Sequence, residues 1–256
     1  MVKKRLIYVL LYKNGKFCLS RNFRKQYIGD KKWLFNNYNF GYVSKYIDEL
    51  VILNVEDERS DISRFRENVE FVLNNVFVPV ALGGGIDSFE KAQSYFDFGA
   101  DKIIVNTALH DNPELVNTIA NVYGKQAVIA SIDFKDDKPY IKNGTQMLDC
   151  SLSTYLHRVQ QLAVGEIMLN SINKDGTGFG FDVDFIKQLI PEIKVPLIIS
   201  GGAGHKNHFL EVANLDGVEA FSTANLLNFI GEALPNSRKH LLANQVPLGN
   251  FDVSYK

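Results

Sequence analysis

The sequence predicts an α/β protein, a single (β/α)8 or TIM barrel built from two similar half-barrels. Three observations carry that reading. Short β-rich apolar runs alternate with amphipathic stretches along almost the whole chain, eight such runs can be counted, and the second half of the chain echoes the first. Near-continuous apolar strands separated by helices indicate a parallel sheet covered on its outer face. Eight units within 256 residues favour closure into a barrel. The G-x-G-x-x-G turn that an open doubly wound sheet normally carries after its first strand is absent. One domain over residues 1–256 is expected, with halves of about 1–123 and 124–256.

The eight runs are RLIYVLLY (5–12), ELVILNV (49–55), FVPVAL (77–82), KIIVNT (102–107), AVIASIDF (127–134), EIMLNSI (166–172), VPLIIS (195–200) and EAFSTA (219–224). Between them lie amphipathic segments such as DSFEKAQSYFDFG, NPELVNTIANVYG and SLSTYLHRVQQLA, with Asp87, Asn112 and Ser151 as N-caps and Gly99 and Gly124 as stops. The halves align where VPVALGGGIDSFEKA (78–92) meets VPLIISGGAGHKNHFL (195–210), where Glu49 meets Glu166, and where Leu11 and Lys13 meet Asp133 and Lys135.

Composition narrows the classes of function. A formal net charge of −1 provides no field for nucleic acid or an acidic membrane. No apolar run approaches the ~20 residues a membrane span needs. Cys18 and Cys150 form neither metal nor redox spacing, so a reduced cytoplasmic setting is expected. The five histidines lack ligand spacing, His205 and His208 reading as surface or packing residues at i, i+3 on a helix; neither metal nor cofactor is implied.

Two glycine clusters, GGG at 83–85 and SGGAG at 200–204, each follow a strand and precede a helix. Glycine lets backbone N–H groups approach an anion, and the helix N-terminus favours negative charge. VNTA (105–108) and STAN (222–225) end the next strand of each half with small donors, so two phosphates at opposite sides of one barrel mouth are expected; tight turns alone are the plainer alternative. Asp175, Gly176 and Thr177 form a loop able to order over a ligand, or an ordinary turn. Asp133 closes an otherwise apolar strand at the same rim, as a general acid or base or as a carboxylate bonded to backbone. At the other end, Arg5, Glu49, Lys102 and Glu166 begin four strands, where spacing alone favours solvated charges over a neutral ring.

Taken together, R-x-I…K-x-G, DELV, LGGGI, GADK-x-x-x-NTA, IDFK, GEI-x-L-x-SI-x-x-DGT and SGGAG resemble the cyclase subunit of imidazole glycerol phosphate synthase, the HisF family, from Arg5 to about residue 229. The resemblance implies a HisH-like glutaminase on the barrel floor whose ammonia crosses the barrel. At the far face it meets a bisphosphate ribonucleotide of histidine synthesis. It implies phosphate sites at Gly84, Gly85, Asn106 and Thr107 and at Asp175, Gly176, Thr177, Gly201, Gly202, Ala224 and Asn225, the last in place of a serine. Arg5, Glu49, Lys102 and Glu166 then gate ammonia, Asp101 faces the glutaminase, and Asp133 is one of two catalytic aspartates.

The other catalytic aspartate falls at Leu11, and a catalytic-face lysine falls at Leu19. Asn14, Asn54 and Asn173 stand at acidic positions, and the segment after the first strand is altered and aromatic, with Tyr27, Trp33, Phe35, Tyr38, Phe40, Tyr42 and Tyr46. Leu11 cannot transfer a proton, and losing a general acid or base costs ~10²–10⁴-fold in rate. The resemblance therefore implies a divergent paralogue handling ammonia within a glutamine amidotransferase assembly, serving the acetamidino group of a surface-polysaccharide sugar with a sugar amidotransferase as further partner. A genuine cyclase, with Asp133 alone or with Arg21 or Arg24 covering the losses, and a non-catalytic activator of a glutaminase are the alternatives.

Overall fold

The computed structural model describes residues 3–38, 42, 44–56, 62–224 and 232–249. Eight parallel strands close on themselves: β1 (Arg5–Lys13), β4 (Glu49–Asn54), β5 (Val80–Gly83), β6 (Lys102–Val105), β7 (Val128–Lys135), β10 (Glu166–Ser171), β11 (Leu197–Ser200) and β12 (Val218–Thr223), with β12 paired back to β1. Helices lie between successive strands and cover the outer face. This is the predicted barrel. Strand ends shift by up to three residues from the sequence reading, the third strand starting at Val80 because Pro79 has no N–H to give to a ladder.

One helix shows how the covering layer is specified. Asn112 caps 113–123 by accepting from Leu115 N at 3.3 Å, and Pro113 occupies the first turn, where its missing N–H costs nothing. Leu115, Val116, Ile119 and Ala120 then recur at helical spacing and are buried, and Gly124, at φ 86°, ends the helix. Ser151 and Gly124 act as expected, but the helix beginning at Phe89 is capped by Ser88 rather than Asp87. His205 is likewise an N-cap outside its helix, its Nδ1 accepting from Asn207 N at 3.3 Å.

Two antiparallel ribbons have no counterpart in the sequence reading. β1 and β7 outrun their neighbours: β12 leaves β1 after Tyr8, and β6 leaves β7 after Ala130. The edges so exposed are taken by antiparallel strands. β2 (Lys16–Arg21) pairs with β1 and with β3 (Arg24–Gly29), and β8 (Lys138–Ile141) pairs with β7 and with β9 (Gln146–Met147). The first turn is Asn14–Gly15 at φ 52° and 77°, the paired left-handed conformation of a tight two-residue hairpin. Helix 31–38 follows, and of the aromatic cluster Phe35 packs edge-on to Phe71 at 4.9 Å and Tyr46 packs on the core. Tyr27, Trp33 and Tyr42 are exposed, whereas Phe40 and the side chain of Tyr38 lie outside the described residues.

The last helix, 233–243, is fastened to the first strand by a buried ion pair. Arg238 Nη1 and Nη2 meet Asp48 Oδ2 and Oδ1 at 2.9 and 3.2 Å, and Leu6 N donates to the same carboxylate at 2.8 Å. Breaking one side leaves a buried charge unmatched. Arg238→Met is expected to destabilise the fold by about 3–5 kcal/mol, read from urea unfolding midpoints; a loss under about 1 kcal/mol would show that the pair is not structural.

Candidate active site

Period-two alternation decides what enters the barrel. Ile7, Val9, Val51, Ala81, Ile104, Ile129, Met168, Ile198 and Ala220 form a separate apolar cluster inside it, with Leu11 and Leu53 packed above. Below this waist, the first residues of β1, β4, β6 and β10 meet. Arg5 Nη1 lies 2.6 Å from Glu49 Oε1 and 3.0 Å from Glu166 Oε1, and Lys102 Nζ lies 2.9 and 3.1 Å from the same two oxygens. Spacing alone favoured solvated charges here; the structure joins all four in one ring because inward-facing strand starts have no other partner. Burial pulls the Arg5 guanidinium down, but Glu49 and Glu166 outweigh it and hold it above its ordinary value. Asp101 sits on the same end, its carboxylate accepting from Val80 N at 2.8 Å.

The opposite end of the barrel opens into a cavity of about 700 Å³. Its walls include Gly84, Gly85, Asn106 and Thr107 from one half and Asp175, Gly176, Gly201, Gly202 and Ala224 from the other. The two glycine sets thus open on one space. Thr177 does not line it: its hydroxyl donates to Lys174 O at 2.8 Å and accepts from Phe179 N, holding its own loop. Asn225 lies outside the described residues.

Asp133 is buried at the cavity floor. Asn170 Nδ2 donates to its Oδ1 at 3.1 Å and Asn106 Nδ2 to its Oδ2 at 3.3 Å. Burial pushes its carboxyl up to about 7, the Asn170 hydrogen bond opposing that rise. A carboxyl near neutrality can both take and return a proton. Leu11, at the matching height of β1, also lines the cavity and stands opposite Leu53, just as Asp133 stands opposite Asn170. The mouth is therefore polar on one side of the floor and aliphatic on the other. Arg21 and Arg24 are exposed at the hairpin turn and do not line the cavity.

The β2–β3 hairpin, which the sequence reading left as an altered segment, reaches across the mouth. Asp175 accepts from Ser20 Oγ at 2.6 Å and Phe23 N at 3.0 Å, and Asn22 N donates to Asp175 O at 2.9 Å. A Cβ on Gly176 would collide with the Ser20 carbonyl oxygen, so only glycine permits this approach. Burial raises the Asp175 carboxyl, the Ser20 and Phe23 hydrogen bonds opposing it. The Asn14–Gly15 turn between β1 and β2 is the one sequence signal that marks the start of this ribbon, and the sequence reading did not use it.

With this geometry in place, similarity to known proteins is decisive. Residues 16–231 match the family described as histidine biosynthesis proteins. The chain is 44% identical over 243 residues to a protein of Parasynechococcus marenigrum named as imidazole glycerol phosphate synthase subunit hisF2, covering 93% of this chain and 90% of that one. It is 33% identical over 245 residues to imidazole glycerol phosphate synthase subunit HisF of Chlorobium phaeobacteroides, covering 94% and 96%. A hisF2 protein of Prochlorococcus marinus matches at 36% over 174 residues, 66% of this chain and 67% of that one. The chain belongs to this family. It is a divergent HisF paralogue. Among the described residues, no helix is long and apolar enough to cross a membrane.

Two outcomes test the site. Asp133 binds its proton more tightly folded than unfolded, so its protonation stabilises the fold below pH ~4, and that contribution is lost as pH rises to about 7. Asp133→Asn is expected to flatten the fall in unfolding free energy between pH 4.5 and 8, raising stability at pH 8 by on the order of 3 kcal/mol; an unchanged slope would refute the raised carboxyl. Asp175→Ala frees the hairpin turn, and tryptic cleavage after Arg21 or Arg24 is expected to quicken by about tenfold.

Proposed function

We propose that this chain is the synthase-side barrel of a glutamine-dependent amidotransferase assembly, working in the cytoplasm, in which a HisH-like glutaminase docks on the floor beside Asp101 and delivers ammonia through the ring of Arg5, Glu49, Lys102 and Glu166. In this reading the chain is one barrel of two half-barrels dividing near residue 123. Several features support the route. The ring is neutral, and Glu49 Oε2 is buried without a hydrogen-bond donor, an acceptor for an incoming N–H. The apolar waist above it passes neutral ammonia and rejects ammonium, whose desolvation is prohibitive. Ser222 Oγ, buried without a hydrogen-bond partner on the inward face of β12, is a second polar stop where the route enters the cavity it lines.

At the mouth, the glycine clusters of the two halves hold the phosphate groups of the ligand through backbone N–H groups, Gly84, Gly85, Asn106 and Thr107 at one end and Gly176, Gly201 and Gly202 at the other. Asp133 is the proton carrier, its reach set by Asn170 and Asn106. Leu11 carries the paralogue reading: where cyclisation needs a second acid–base group, the cavity offers an aliphatic wall. The ammonia then serves another acceptor, amidination of a surface-polysaccharide sugar by a partnering sugar amidotransferase; the relatives named hisF2 support the paralogue part of this reading.

Purified chain given the bisphosphate ribonucleotide of histidine synthesis and excess ammonium salt is expected to form imidazole glycerol phosphate ~10²–10⁴-fold more slowly than an ordinary cyclase. Leu11→Asp is expected to recover part of that rate. Turnover by the unmodified chain at an ordinary enzymatic rate would overturn the paralogue reading and make this a cyclase of histidine biosynthesis.

A further inference from the structure

The β2–β3 hairpin carries a cation into the cavity from a position the family resemblance does not supply. In an antiparallel ribbon, directly opposed residues share a face and successive pairs alternate between faces. Ser20 opposes Lys25, and Leu19 opposes Gln26. Ser20 and Lys25 line the cavity; Leu19 and Gln26 do not. A lysine at position 19 would therefore stand on the hairpin's other face here.

The pairing of the ribbon explains why Lys25 is the residue turned inward. Phe17 opposes Gly29, whereas Cys18 opposes Tyr27, so one extra residue is accommodated on β3 between these pairs. That bulge lies at the far end of the ribbon from its turn, and Lys25 owes its direction to the turn: Arg21 opposes Arg24 across the two residues Asn22 and Phe23, so the next pair is Ser20 with Lys25. The positive charge of Lys25 acts on the carboxyls of both Asp133 and Asp175, pulling each down against burial. The Ser20 end of the hairpin is packed against Gly176, and Gly176 and Gly202 line the same cavity.

We propose that Lys25 is an anion-binding residue that closes the Gly176–Gly202 site from above, its ammonium meeting a phosphate group of the ligand whose other contacts are backbone N–H groups. This rests on the reading of that loop pair as a phosphate site, and it assigns the cation to the hairpin rather than to the barrel strands.

The test is a titration of the full chain with inorganic phosphate, followed by amide NMR. The amides of Gly176 and Gly202 report this site, and those of Gly85 and Thr107 report the other. Lys25→Met is expected to weaken phosphate at Gly176 and Gly202 by about tenfold or more while leaving Gly85 and Thr107 unchanged. Lys25→Arg keeps most of the affinity. Lys16→Met, the same loss of charge on an exposed hairpin residue outside the cavity, leaves both sites as they were. Should methionine displace the hairpin, seen as movement of the Asn22 amide, Lys25→Gln replaces it. Undiminished binding at Gly176 and Gly202 in the Lys25 variants, or equal weakening at all four amides, would overturn the proposal alone. An unmodified chain that binds phosphate at neither pair would overturn both this proposal and the two-phosphate reading beneath it.

Discussion

A strand in a closed barrel can turn only every second side chain inward, and the chemistry of this protein follows from that constraint. β1 sends in Arg5, Ile7, Val9 and Leu11; β10 sends in Glu166, Met168 and Asn170; β7 sends in Ile129, Ser131 and Asp133. Charge appears at the floor, hydrocarbon at the waist and polarity at the mouth. Each zone is held to its level by desolvation. A lone charge at the waist would find no partner, so the floor charges pair among themselves and Asp133 is met by two carboxamides. A slip of one residue in any strand would send its inward set to the helices.

The same constraint makes the two halves directly comparable. Leu11 opposes Leu53 on one side and Cys18 on the other; Asp133 opposes Asn170 and Tyr140. These are equivalent places in the repeat, filled with aliphatic side chains in one half and with an acid and its amide in the other. Because Asp133 is held by neutral donors, burial prevails and its carboxyl titrates near neutrality. A second carboxylate facing it would raise one of the pair further, and Leu11 removes that coupling. The mouth thus sets Asp133 beside an apolar surface, with the charge of Asp175 on the same cavity raising its carboxyl further.

Much of this was legible because barrel strands announce themselves. Runs such as AVIASIDF, bounded by Gly124 and an acidic turn, admit little besides a buried parallel strand, and the glycine clusters mark the loops that close on the cavity. The ring was less legible: four strand-initial charges of mixed sign look solvated until closure brings β1, β4, β6 and β10 to one floor. Asp87, expected as a cap, gives way to Ser88 because both side chains can accept from a first-turn N–H and only the backbone angles decide. The hairpins went unread for a different reason. Asn14-Gly15 is a strong two-residue hairpin signal, but the alternation that should follow it in KFCLSR is broken, because Cys18 and Ser20 are buried along with Phe17.

The hairpins matter because they exist only where the barrel leaves room for them. β1 and β7 extend past neighbours that end at Thr223 and Val105, and an unpaired strand edge beside a cavity must be covered. Covering it with an antiparallel ribbon places a second tier of side chains over the mouth, and the register of that tier is set by its own turn and bulge rather than by the barrel. The floor has no such freedom. Its ring comes from the first residue of four strands whose spacing closure dictates, so it can change only by breaking pairs that nothing else can satisfy. A barrel built this way can keep its floor ring while its mouth is redefined by one inward residue, Leu11, and by the side chains that a ribbon turns over the cavity, Ser20 and Lys25.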